Sequence, residues 1–111
     1  MDNYIKKCML IDELLDYNIS FDHNLLNTFQ ELKNTNDFDN DIILFNNCLI
    51  YLDNMIIETT EYLDTIIHRE WEYFTVNNFR NDLFNVKYKI EYYLTTFDKV
   101  DILADLLNEN L

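Results

Sequence analysis

The sequence predicts an all-α protein: a single-domain bundle of four to five helices, spanning residues 1–111, around one long central helix. Three observations predict it. The chain has no glycine and no proline, which removes the residues that tight β-hairpin turns depend on and leaves Asn, Asp, Ser and Thr to make the connections. Apolar residues make up 49% of it, too many for a disordered chain despite the charge. The run Asp41–His68, DIILFNNCLIYLDNMIIETTEYLDTIIH, repeats apolar residues in steps of three and four, the period of one helix face.

That run is the predicted central helix. Ile42, Phe45, Leu49, Leu52, Ile56, Leu63 and Ile66 form its main apolar line, widened by Leu44, Cys48, Tyr51, Met55 and Tyr62. At about 1.5 Å per residue it would be roughly 40 Å long, the span of a small domain. Its other side collects Asn46, Asp53, Asn54, Glu58, Glu61, Asp64 and His68, with Ile43, Ile50 and Ile57 set among them. Isoleucines inside an acidic stripe suit a second packed helix or a partner-binding face.

The remaining elements follow in order. A first helix is expected over Asn3–Tyr17, capped by Asp2 or Asn3. Its line Ile5, Cys8, Met9, Asp12, Leu15 is interrupted by an acid, and Leu10, Leu14 and Tyr17 broaden the apolar side. Asp22 is placed to cap a second helix, with Phe21 and Leu26 as a hydrophobic staple and Leu25, Phe29 and Leu32 as a narrow stripe. The polar run KNTNDFDND then ends that helix, and Asp37 or Asp39 caps the central one. The central helix is expected to falter around Arg69–Tyr73, since a continued wheel carries Glu70 onto the apolar face. Asn77–Asn78 reads as the next break. Phe79, Leu83, Val86, Ile90, Tyr93, Leu94 and Phe97 line a fourth helix, and a last one starts after Asp98 with Phe97 and Ile102 as its staple.

Charge narrows the function. The net charge is −13 with pI near 4.2, and seven acids stand between Lys33 and Arg69 without one base: Asp37, Asp39, Asp41, Asp53, Glu58, Glu61 and Asp64. Such a field repels nucleic acid and anionic membranes and attracts basic proteins at steered rates. The bland counterpart is that acidity keeps an aromatic-rich chain soluble. There is no stretch of the ~18 apolar residues that a membrane span needs and no secretion signal in MDNYIKKCML, so a cytoplasmic chain is expected. Cys8 and Cys48 lack metal or redox spacing and read as small reduced hydrophobes, with an interhelix disulfide as the alternative.

Enzyme chemistry finds little footing. Ser20 is the only serine and has no partnered His nearby. Asp64, His68 and Glu72 are four apart and could share a helix face, but a di-iron bundle needs carboxylates from several helices and paired Glu-x-x-His motifs. No catalytic residue, metal ligand or cofactor is expected. The aromatics are more telling. Phe84, Tyr88 and Tyr92 are spaced by four on the side of the fourth helix away from its apolar line, and Trp71 stands at the edge of the acidic stripe. Tyr and Trp bring contact area at low entropy cost and are enriched at binding hot spots; packing within the chain is the ordinary alternative.

The reading that joins these features is an immunity or antitoxin protein that neutralises a basic cognate toxin domain, of which a nuclease is the natural case. The candidate partner-binding residues are Ile50, Asp53, Ile57, Glu58, Glu61 and Asp64, with Trp71, Phe84, Tyr88 and Tyr92. Two alternatives stand beside it: a phage or viral anti-defence protein whose carboxylates mimic nucleic-acid phosphates, and a helical scaffold or weak homodimer. A mimic would keep apolar residues out of its acids, whereas Ile50 and Ile57 sit among them. The run Glu91–Tyr93 resembles the paired tyrosines of colicin nuclease immunity proteins over three residues, without their flanking Pro and Gly, and no family is assigned on it.

Overall fold

The computed structural model describes residues 3–17 and 22–109, with side chains up to Thr96. Its described residues form four helices and no strand: α1 (Asn3–Leu15), α2 (His23–Asn34), α3 (Phe38–Thr65) and α4 (Glu70–Glu109). The main packing runs between consecutive helices, α1 on α2, α2 on α3 and, most extensively, α3 on α4. At ~1.5 Å per residue the 40 residues of α4 span the molecule's longest dimension, 63 Å.

The helix starts are set by aspartates. Asp22 Oδ1 accepts from the Leu25 N–H at 3.0 Å, and Asp37 Oδ1 accepts from Asp39 N–H at 3.1 Å and Asn40 N–H at 3.5 Å. Each satisfies donors that the first turn leaves unpaired. The expected staple residue Phe21 lies outside the described residues.

Both breaks differ from expectation. α3 ends at Thr65, and residues 66–69 turn the chain, with Ile66 N–H bonded to Leu63 O at 3.2 Å and Arg69 N–H to Ile66 O at 2.9 Å. The reversal comes just before the point where a continued helix would have buried Glu70, which instead sits exposed in the first turn of α4. There is no break at Asn77–Asn78 and no separate last helix after Asp98. Each asparagine costs a helix only tenths of a kcal/mol, less than α4 gains by laying Leu83, Val86 and Ile90 fully into the core. The side chains of the expected Phe97–Ile102 staple are outside the described set.

The core joins Ile11 and Leu14 of α1, Leu25, Phe29 and Leu32 of α2, Phe45, Cys48 and Leu52 of α3, and the α4 trio. Phe45 meets Tyr93 at 5.2 Å between ring centres, tilted by 56°. On α1 the buried face is Lys7, Ile11 and Leu14. The expected line is corrected here: Ile5, Met9, Asp12 and Leu15 are exposed and Cys8 is only half-buried. Cys8 and Cys48 are free thiols. α3 is long and apolar enough to cross a membrane by length and mean hydropathy, 1.2 in its best window, yet its apolar side is what the other helices cover.

Burial also makes a pH dependence. Desolvation pushes the Cys48 thiol up to about 12, and burial, with smaller contributions from Asp41 and Cys8, pushes the Tyr93 hydroxyl up to about 12. Above about pH 9 the unfolded chain begins to release protons that the folded one still holds, so stability should fall as pH rises toward 12. Urea unfolding at stepped alkaline pH measures it; a flat midpoint between pH 8 and 11 would contradict the burial of both groups.

Candidate functional site

The structure sorts the predicted site residues into two exposed surfaces and leaves Asp53 and Phe84 half-buried. The first surface is the outer face of α3. Ile43, Ile50 and Ile57, one every two turns, are each exposed by 56–58%, so the isoleucines in the acidic stripe face solvent and pack under no second helix. Glu58, Glu61 and Asp64 are exposed beside them.

The seven acids are not equivalent. Asp37 is used as a cap, Asp41 holds Lys7 at 3.0 Å, and Asp53 is bridged by Lys87 of α4 at 2.8 Å. Asp53 is therefore part of a clamp between α3 and α4, and the Asp53 carboxylate raises the pKa of Lys87 through their hydrogen bond. Glu58, Glu61 and Asp64 have no ion-pair partner among the described residues. They occupy the last two turns of α3, where the helix dipole is itself negative, and no base stands in the last turn. The positive start of α4, just beyond, is answered by its own Glu70 and Glu72.

The turn that carries this negative end is tied across. Tyr62 of α3 donates its hydroxyl to Glu72 Oε1, and Arg69 holds Glu72 Oε2 at 3.2 Å. The Tyr62 hydrogen bond, then Arg69, hold the Glu72 carboxyl below its usual range. Because α3 stops at Thr65, Asp64, His68 and Glu72 do not share a helix face, and no described group of three His, Cys, Asp or Glu could hold a metal ion.

The second surface is the outer face of α4. Trp71 is 85% exposed, Tyr92 76%, and Phe74 and Tyr88 are exposed with them. Sequence reasoning found Tyr88 and Tyr92 but grouped them with Phe84, which is half-buried against the core and stacks on Tyr88 at 6.0 Å, and it set Trp71 apart at the edge of the acidic stripe. The true line alternates steps of three and four: Trp71, Phe74, Asn78, Asn81, Asn85, Tyr88, Tyr92, every member exposed. That spacing was in the sequence; the reading missed it because it expected a helix break at Asn77–Asn78. No member carries a charge. Along one flank of its C-terminal half runs a groove of about 690 Å³ between α1 and α4, walled by Lys6, Leu10, Glu13, Tyr88, Lys89 and Tyr92. Lys89 closes on Glu13 at 2.5 Å.

Pairing accounts for the missing positive surface. Lys7, Lys33, Lys87 and Lys89 each reach an aspartate or glutamate on another helix, so these bases serve to join helices and leave Glu58, Glu61 and Asp64 uncompensated. No family model, no curated protein and no solved structure matches this chain.

Proposed function

We propose that this protein binds a basic protein domain through the outer face of α3, as an immunity- or antitoxin-type inhibitor of a basic toxin such as a nuclease. The observation that carries the reading is the placement of Glu58, Glu61 and Asp64. A helix arranged for stability alone would carry bases in its last turns; α3 carries uncompensated carboxylates there, next to the exposed Ile50 and Ile57. Carboxylates would speed encounter with a positive surface, and the isoleucines would supply apolar contact that slows dissociation. A partner that is itself a polyanion-binding enzyme would meet carboxylates with the groups it uses on phosphates. The interleaved isoleucines favour this over charge mimicry, in which loss is graded with total charge and no single apolar residue matters.

The test pairs this chain with a basic nuclease toxin domain, sought first in the gene neighbouring its own. Reversing Glu58, Glu61 and Asp64 to Lys should lower the association rate and flatten its salt dependence. These side chains are exposed, so the helical circular-dichroism signal should be unchanged. Ile57→Ala should instead raise the dissociation rate, at about 1–3 kcal/mol if it is a hot spot. Cells co-expressing the toxin should survive with the wild type and die with the triple reversal. Equal protection by a normally folded triple variant would refute the α3 interface.

A further inference from the structure

The charge-free stripe on α4 has no role in that reading. From Trp71 to Thr96 the exposed positions of α4 are Trp71, Phe74, Thr75, Asn78, Asn81, Asn85, Tyr88, Tyr92, Thr95 and Thr96, none of them ionisable below the tyrosine range. In a chain of net charge −13 this is an unusual place to find no carboxylate. Aromatics at both ends and amides in the middle make a surface of the composition that binds by stacking and adaptable hydrogen bonding.

We propose that this stripe is a self-association surface, and that two copies of the chain pair α4 against α4, antiparallel, about a two-fold axis at Asn81. The order of residues is the first argument. Read from either end the stripe is aromatic, aromatic, Asn, Asn, Asn, aromatic, aromatic. An antiparallel pair centred on Asn81 sets Trp71 opposite the partner's Tyr92, Phe74 opposite the partner's Tyr88, Asn78 opposite the partner's Asn85, and Asn81 opposite itself. A two-fold interface requires this kind of self-complementarity, and steps of three and four keep one seam facing the partner along its length. Central amides fix the register, as polar residues do at single seam positions.

Charge is the second argument and selects both occupant and direction. Two chains of −13 repel each other least where neither presents an exposed carboxylate. A parallel pair would bring the two negative α3 ends side by side, whereas the antiparallel one sets them at opposite ends, about 30 Å apart along α4 by helix rise. The groove is the third. It flanks Tyr88 and Tyr92 on the side of α1, and on the α4 wheel Trp71 points to that same side. The antiparallel two-fold keeps both α1 helices on one side of the seam. The Trp71 ring of each copy therefore meets the mouth of the other's groove, beside Lys6 and Lys89, where an ammonium group can face its ring.

The area is adequate. Four aromatic side chains of roughly 150–250 Å², exposed by 57–85%, offer on the order of 500 Å² per copy. The amides and threonines between them bring the total toward the ~800 Å² per partner of a standard interface. Asp82, half-buried at the border, is the nearest acid to the axis and lies near its own counterpart. Self-association should therefore tighten as salt rises and screens like charges, opposite in sign to binding of a basic partner.

The experiment needs the chain alone. Sedimentation over a wide concentration range should show a monomer–dimer equilibrium that shifts to dimer with added NaCl. Trp71, the one tryptophan, should move its emission to the blue along the same curve. Trp71→Ala should raise the dissociation constant roughly 30-fold, the size of a hot-spot loss. Asn81→Lys and Asn81→Asp should each be monomeric, and mixing them should restore a dimer, because residue 81 faces itself. A monomer at every concentration with unshifted emission would overturn the proposal. So would a dimer indifferent to Trp71→Ala and Asn81→Lys, or two monomeric position-81 variants that fail to pair when mixed.

Discussion

Lys7→Met is expected to destabilise the fold by about 3–5 kcal/mol, the cost of leaving one half of a buried ion pair behind. Lys7 is 1% exposed. Its ammonium donates to Asp41 Oδ2 at 3.0 Å and to the Thr35 carbonyl, and it lies 5.2 Å from the centre of the Tyr4 ring. Asp41 Oδ1 takes the Thr35 hydroxyl at 2.9 Å. One side chain of α1 thus fastens the α2–α3 connection and the first turns of α3. Methionine fills the space but leaves the Asp41 carboxylate facing Thr35 alone. A domain of this size has only about 5–15 kcal/mol in total, so the urea midpoint should fall steeply. Converting both partners, Lys7→Met with Asp41→Leu, should recover a large part of the loss, since a well-packed apolar pair removes both desolvation costs. Strictly additive losses in that cycle would show that the two groups do not depend on each other.

Phe45→Ala should cost about as much, 3–5 kcal/mol, by a different route. Phe45 is fully buried at the point where α3 faces both α4 and the smaller helices, with Tyr93 against it. Truncation leaves a cavity walled by apolar groups that surrounding helices can only partly close. Ile57→Ala, on the exposed side of the same helix, is the control and should stay within about 0.5 kcal/mol. Equal losses at the two positions would mean that the face of α3 assigned to solvent is buried in the folded state.

Much of the fold was legible because α2 and α3 state their faces without conflict. Leu25, Phe29 and Leu32, the predicted line of α2, are buried, as are Phe45, Leu52, Ile56, Leu63 and Ile66 of the predicted α3 line, whose Ile42 and Leu49 are half-buried; Asp22 and Asp37 cap where their side chains could reach. On α1 the reading chose the line with more apolar residues. Lys7 lies four and seven residues before Ile11 and Leu14, which was a signal, but a lysine on an apolar stripe is recognised only once its carboxylate is known. Asp41 supplies that from a distant helix. The break near residue 66 was misplaced because no glycine or proline marks it, and the expected break at Asn77–Asn78 rested on a weak preference that packing overrides. Of the site residues, the exposure of Ile50, Ile57, Tyr88 and Tyr92 follows from the wheel. The tie between Asp53 and Lys87 does not, since it is made across two helices.

The order in which the helices pack has a consequence in time. Each helix lies chiefly against the next one in the chain, so the loops that must close are short and the entropy lost before the first contacts form is small. Bundles of low contact order fold in microseconds to milliseconds. With no proline in the sequence, no peptide bond has to wait tens of seconds for isomerisation. Under the proposed inhibitory role, a chain that folds without a proline-limited step would have its binding face ready soon after synthesis.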